Sequence, residues 1–513
     1  MSAAGRVLMV GIDAAEHGLI DALVERGRLP TLARLRRQGT YVLLQSPADR
    51  YSGAVWPTFY SGRPPAWHGV YHNKLWDPRR MCCVVPSAHA FEARPFWESL
   101  GPTVRTCIVD VPLVLDRANG TSGVYLNGWA THDTAPPHSS PRGLWRRLER
   151  EFGRRAMPPE NFGPQDTRAL AQLLGELLRA TEQVQRVTRA LLQREPWDLG
   201  CSIFGATHRA GPYLWDLDQA RDRERAGPER CERLARALEQ VYEAVDGALG
   251  ELLAQADAAT HVIVFSLHGM GPNGGWSEIV PEMLAAWRAL RAEQPARQGA
   301  LYRARKRLVG AARPVLKWMP PRLASALVPL WSARMFDWRQ TRSFPLPMDL
   351  TGLLRVNLKG RERDGIVTPG EDYEAACADL EALFGSLRDG SSGRPIVSGT
   401  LRAYAEAPTG AVHREGQPDL IVSFEPLRAS AVRELISSRW PAYRCAVPRW
   451  LPSGRSGNHL PFGWFIATGP RIRPGAALPT GDILDLAPTV RALLGLEPDP
   501  TLHGRPLPLG ALA

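Results

Sequence analysis

Three apolar runs in this chain each end at a turn carrying a potential metal ligand, and that recurrence constrains the fold more than any other feature. They close as Val10-Gly11-Ile12-Asp13, Ile203-Phe204-Gly205-Ala206-Thr207-His208 and Val262-Ile263-Val264-Phe265-Ser266-Leu267-His268-Gly269. A fourth segment, Gly457-Asn458-His459, adds another imidazole at a turn. In an open α/β sheet the carboxyl ends of parallel strands converge on one crevice, so residues just past those ends can form a single site. One carboxylate and three imidazoles gathered there suit zinc or a similar divalent ion.

The spacing of elements supports such a sheet. Val7 to Ile12, Tyr41 to Gln45, Thr106 to Val111, Gly123 to Leu126, Leu199 to Phe204 and His261 to Phe265 read as short strands. Between them, Leu19 to Gly39, Arg142 to Arg194 and Pro228 to Ala258 read as helical. Strands alternating with helices in this way predict a doubly wound, mostly parallel sheet flanked by helices. The least regular stretch, 274–365, is basic and interrupted by proline, and it predicts a cap or insertion between core segments 1–273 and 366–513. Its Arg303-to-Arg322 portion alternates arginine with Leu, Val and Trp, a pattern open to contact with membrane headgroups. Pro320-Pro321 breaks any long interfacial helix, which favours a cap packed on the sheet domain instead.

At 513 residues the chain fits one large α/β domain or two domains. The formal charge of +11 is carried almost wholly by arginine, since Lys74, Lys306, Lys317 and Lys359 are the only lysines. Without zinc-finger spacing, a basic helix or an RNA-binding aromatic signature, that charge reads as a solvated surface and not as a nucleic-acid footprint. Cys82, Cys83, Cys107, Cys201, Cys231, Cys377 and Cys445 are odd in number and contain no CxxC pair, so no disulfide framework is expected. The first strand begins within a few residues of Met1, and no apolar run approaches the ~20 residues that span a bilayer. Cytoplasm is the default location. Nothing in the sequence sets the oligomeric state.

Gly11-Ile12-Asp13-Ala14-Ala15-Glu16, followed by Arg28-Leu29-Pro30-Thr31-Leu32 and Gly39, resembles the opening of the alkaline phosphatase superfamily, and more narrowly its type I phosphodiesterase/nucleotide pyrophosphatase branch. Further blocks agree in order: Trp56-Pro57-Thr58-Phe59-Tyr60-Ser61-Gly62 with His68-Gly69, and Ser266-Leu267-His268-Gly269. Val356 to Glu362, Pro418-Asp419-Leu420-Ile421-Val422, His459 and Asp482 to Thr489 follow. The matching blocks run from about residue 6 to about residue 507. The resemblance implies an alkaline-phosphatase-like fold and a hydrolase of phosphate or phosphonate esters, most specifically a phosphodiesterase. It also implies two divalent ions, usually zinc, flanking a Ser or Thr nucleophile. Counted back from Gly62, the nucleophile falls on Ser52, and not on nearby Thr58. Asp13 and His268 match ligands of the ion that holds the nucleophile; His459 matches a ligand of the other, and His208 stands where the family usually has an aspartate, which an imidazole can replace as a zinc ligand.

The departures from the pattern fall at the same centre. Pro212 stands where the family has a histidine, Leu267 where it has an aspartate, and Val55 where many nucleotide pyrophosphatases have a phosphoryl-binding asparagine. A mononuclear enzyme, a repurposed dinuclear site and a degenerate site that only binds an anionic ligand or partner all follow from those losses. A transferase of a phosphoryl-linked headgroup is a further alternative. Glu16, His17, Asp216 and Asp218 lie near enough in sequence to compensate, and Asn127, Trp129 and His132 are candidates to line a pocket for a small anionic phosphoester.

Overall fold

Along Arg6–Ile12, Leu8, Val10 and Ile12 face one apolar layer while Val7 and Met9 face another. Strict alternation between two buried faces explains the uninterrupted apolar run: the strand is covered by helices on both sides. In the computed structural model, which describes residues 5–84, 94–114, 122–131, 137–160, 163–291, 336–347, 350–403, 416–470, 472–476 and 478–510, this strand (β1) lies near the middle of a nine-stranded sheet. The other members, numbered by their place among the strands along the chain, are β2 (Thr40–Gln45), β5 (Thr106–Val109), β6 (Gly123–Asn127), β7 (His138–Ser140), β8 (Leu199–Phe204), β9 (Thr260–Ser266), β19 (Phe462–Thr468) and β20 (Gly481–Asp482). Their order is β20-β2-β19-β9-β1-β8-β5-β6-β7. The run β9-β1-β8-β5-β6 is wholly parallel, and β19 and β7 run antiparallel to their neighbours. The expected doubly wound α/β architecture is therefore the one observed.

One face is covered by His17–Glu25, Pro30–Gln38, Thr167–Arg194 and Ala237–Leu253, the other chiefly by Val55–Ser61 and Leu486–Leu493. The single helix expected over 19–39 is two helices. Gly27 adopts φ +70° and Pro30 opens the second helix, so the residue before it is held out of the helical region. The helical stretch 142–194 likewise divides into Leu144–Phe152 and Thr167–Arg194, and 228–258 into Pro228–Ala235 and Ala237–Leu253. All seven cysteines are free thiols. Among the described residues no helix is long and apolar enough to cross a membrane.

The sheet and its helices form one compact unit of residues 1–70, 87–273 and 452–513; residues 71–86 and 274–451 form a second. The longer segment of the second unit runs from Gly274 to Leu451. Within it, Ala376, Leu380, Leu383 and Phe384 of the Glu371–Ser386 helix pack in an apolar cluster with Leu354, Val356, Leu420 and Val422. Those four lie on β12 (Gly352–Val356) and β15 (Leu420–Phe424), paired in an antiparallel sheet.

A charged cluster is sealed inside this second unit. Arg355 donates from Nε (2.8 Å) and pairs through Nη2 (2.7 Å) with Oε1 of Glu362, both side chains being fully buried. Trp76 Nε1 donates to the other carboxylate oxygen at 2.8 Å. Arg361 adds a 2.9 Å bond to Glu362 and holds Asp419 through two bonds of 2.7 Å. The sequence blocks Val356-to-Glu362 and Pro418-to-Val422 therefore meet in space, tied by buried charge.

Candidate active site

The turn after β1 is fixed from three sides. Asp13 continues the parallel ladder by donating its N–H to Phe204 O at 2.9 Å, and its own carbonyl accepts from Thr207 Oγ1. Ala14 then takes φ +57°, a left-handed turn uncommon for a residue with a Cβ. Ala15 N donates to Ser266 Oγ, whose hydroxyl in turn donates to the His268 carbonyl at 2.9 Å. One serine thus locks the Asp13 turn to the His268 turn. Trp56 Nε1 donates to Asp13 Oδ1 at 3.1 Å, and Asp13 is only 2% exposed.

Around that buried carboxylate stand three imidazoles. His268 Nε2 is 3.5 Å from Asp13 Oδ1, and His208 Nδ1 is 3.9 Å from Oδ2. His208 Nε2 faces His459 Nε2 at 3.1 Å with the rings stacked, and the His268 ring meets His459 edge-on with centroids 4.8 Å apart. His459 reaches this place because Gly457 lets its strand β18 (Gly457–Leu460) press against the Ala206–Leu214 helix; a Cβ at that glycine would stand 2.2 Å from Gly211 O. The same strand pairs with β10 (Gly269–Pro272), placing His459 opposite Met270. Burial, then the neighbouring His268 and His208, hold the His459 pKa well below the ordinary histidine value, so its ring is a neutral donor. No group of three or more His, Cys, Asp or Glu side chains among the described residues already presents a ready coordination sphere. What the cluster offers is the donor chemistry. His268 Nδ1 donates to Gly269 O and turns its Nε2 toward Asp13 Oδ1, and among the described residues the buried His459 Nδ1 has no hydrogen-bond partner. One carboxylate and three imidazoles are donor types that suit a divalent cation.

Ser52 opens the short 3-10 turn Ser52–Ala54 that runs into the Val55–Ser61 helix, one turn before Trp56. Thr58 is committed elsewhere: its hydroxyl bonds His68 Nε2 at 3.0 Å, and His68 Nδ1 accepts from Val70 N, so the Nε2 proton is the one shared. Val55 and Leu267, both fully buried, belong to the apolar layer on the Val55–Ser61 side and bring no polar atom to the site. Pro212 lies inside the Ala206–Leu214 helix, where it has no N–H for the His208 carbonyl, and its own carbonyl accepts from Ser456 N. Glu16 caps the His17–Glu25 helix and contacts His17, while Asp216 accepts from Asp218 N and Asp218 pairs with Arg223. Asn127 accepts from Thr131 Oγ1, and Trp129 is buried against Trp145. His132 and the basic segment Arg303 to Arg322 lie outside the described residues.

Asp110 went unnoticed in the sequence, although it closes the run Cys107-Ile108-Val109 as Asp13 closes its own. It is fully buried, adopts φ +58°, and accepts from Trp129 N and Ala130 N at 2.8 Å each, pinning the loop after β6. A Cβ on Gly205 would stand 2.7 Å from Ala130 O, so that loop abuts the turn leading to His208. Desolvation pushes the Asp110 carboxyl up to about 7, against the lowering effect of its backbone donors. Because the folded value is the higher one, the native state keeps a proton that the unfolded chain loses, and this residue's contribution to stability falls as pH rises from about 4 to about 7. In urea titrations, the stability advantage of wild type over Asp110→Asn is expected to shrink across that window, by on the order of 4 kcal/mol at most. A difference that does not change with pH would remove the assignment.

An open, mostly parallel sheet with an Asp–His cluster past its carboxyl edge defines an alkaline-phosphatase-like protein. The model of the type I phosphodiesterase/nucleotide pyrophosphatase family matches residues 7–314, and the chain belongs to that family of phosphoester hydrolases. In fold it is similar to phosphonoacetate hydrolase from Sinorhizobium meliloti 1021 in complex with phosphonoformate, at 14% identity and TM-score 0.53 over 96% of each chain. It is also similar to murine ectonucleotide pyrophosphatase/phosphodiesterase 5 in complex with AMP, at 12% identity and TM-score 0.50 over 97% of this chain and 96% of that one. No curated protein matches the chain in sequence.

Proposed function

We propose that this chain is a metal-dependent phosphodiesterase with Ser52 as its nucleophile. The observation that carries the reading is the convergence of Asp13, His208, His268 and His459 at the carboxyl edge of the sheet, with Trp56, one turn beyond Ser52, bonded to Asp13. Those four side chains would hold the divalent ion, which when bound supplies Lewis-acid stabilisation of phosphoryl oxygens and lowers a nucleophile's pKa. Ser52 Oγ forms the new bond to phosphorus as the ester oxygen departs, taking up the proton the hydroxyl gives up; water then cleaves the seryl ester. Trp56 fixes the orientation of Asp13 through Oδ1, and Ser266 fixes the spacing between the Asp13 and His268 turns. A formal charge of +11 favours approach of an anionic ester. The similar solved structures hold phosphonoformate and AMP, small anionic ligands of the same kind.

A panel of bis(4-nitrophenyl) phosphate, 4-nitrophenyl phosphate and a phosphonate monoester, assayed with zinc- or manganese-loaded protein, tests the substrate class. The diester is expected to turn over fastest. Faster cleavage of the monoester would move the assignment to a phosphatase, and no cleavage of any of the three would contradict the reading.

A further inference from the structure

We infer that Tyr242 and Trp464 are positioning residues for Asp13, holding the strained turn that sets its carboxylate beside His268 and His208. This rests on the metal-dependent reading above and concerns how that carboxylate is kept in place. Ala14, directly after Asp13, is fully buried and adopts φ +57°. A residue with a Cβ enters the left-handed region at a cost, and such a conformation persists only where its surroundings over-determine it. The φ and ψ of Ala14 set the angle between the rigid peptide planes on either side, so fixing those planes fixes the turn.

Three successive planes are held by side chains from four elements. Thr207 Oγ1, on the Ala206–Leu214 helix, donates to the Asp13 carbonyl, and Ser266 Oγ of β9 accepts from Ala15 N at 3.0 Å. The next plane is gripped at both of its polar atoms. Trp464 Nε1 of β19 donates to Ala15 O at 2.9 Å, and Glu16 N donates at 2.9 Å to the hydroxyl of Tyr242, on the Ala237–Leu253 helix. Both side chains are buried. The Tyr242 bond is separate from the cap of the helix that follows: the Glu16 carboxylate accepts from Gly18 N and Leu19 N at the start of His17–Glu25, whereas Tyr242 takes the amide ahead of that helix. The helix is capped without Tyr242; the turn before it is not held. Release of this plane lets Ala14 relax toward negative φ, and the shift is passed to Asp13, whose carboxylate stands 3.5 Å from His268 Nε2 and 3.9 Å from His208 Nδ1.

The test is zinc affinity of the full chain, measured by competition with a chromophoric chelator, beside thermal unfolding of the zinc-free protein. Tyr242→Phe removes one hydroxyl and is expected to weaken zinc binding by ~10-fold or more, the usual scale for loss of an outer partner. In an Ala14→Gly background the same change is expected to cost less than ~3-fold, because glycine takes positive φ without penalty. Trp464→Phe should follow the same pattern, with circular dichroism reporting whether it has folded. A part in stability alone would lower the unfolding temperature and leave zinc affinity at the wild-type value. That result, or an equal loss in both backgrounds, would overturn the inference and leave the metal-dependent reading standing. No zinc binding by the wild type would overturn that reading instead. The role of Tyr242 is then read from a crystal structure of Tyr242→Phe, in which Ala14 still at positive φ with Asp13 bonded to Trp56 would overturn it.

Discussion

Ser52→Ala is expected to lower kcat for phosphodiester hydrolysis by at least ~1,000-fold, because removing an attacking oxygen removes the covalent route entirely. Ser52 is buried at the start of its 3-10 turn, so thermal unfolding of the variant is followed alongside kcat to show that it has folded. Thr58→Val provides the contrast. It abolishes the hydroxyl's bond to buried His68 and should cost stability while sparing the chemistry, since Thr58 is only 2% exposed and already partnered. Comparison of the two variants by kcat and by thermal unfolding separates nucleophile from scaffold. A Ser52→Ala protein with undiminished kcat would remove the assignment.

The largest expected effect on stability lies in the second unit. Glu362→Ala leaves the buried Arg355 guanidinium without its carboxylate, and it also deprives Trp76 Nε1 and Arg361 of an acceptor. Breaking one partner of a buried pair costs ~3–5 kcal/mol, mostly as the penalty of an uncompensated charge. Of the four charged groups, Arg355, Arg361, Glu362 and Asp419, two cations would then share one carboxylate. Urea unfolding followed by tryptophan fluorescence should show an earlier transition, since Trp76 and Trp338 lie in this unit with their rings 5.8 Å apart. An unshifted midpoint would mean that the cluster contributes no net stability.

The positions of Asp13, His208 and His268 were legible because each ends an apolar run whose strand is buried on both faces, and a parallel sheet forces such ends together. His459 stood out as a further imidazole at a turn, but with no apolar run before it to place it at a strand end. It arrives on a two-strand pairing with β10, and no periodicity in Gly457-Asn458-His459 announces that contact. Trp56 read as part of a block following the nucleophile; its bond to Asp13 spans 43 residues and depends on how the Val55–Ser61 helix packs. Asp110 carried the same strand-end signal as Asp13 but had no family motif to draw attention to it. Helix breaks at Gly27 and Arg236 escaped because apolar periodicity continues across both of them.

The most direct measurement is hydrolysis of bis(4-nitrophenyl) phosphate by protein stripped with a chelator, verified metal-free by elemental analysis, and then titrated with zinc. The account predicts loss of turnover on stripping, recovery on titration for the wild type, and no recovery for Asp13→Ala. Full turnover by verified metal-free protein would contradict it.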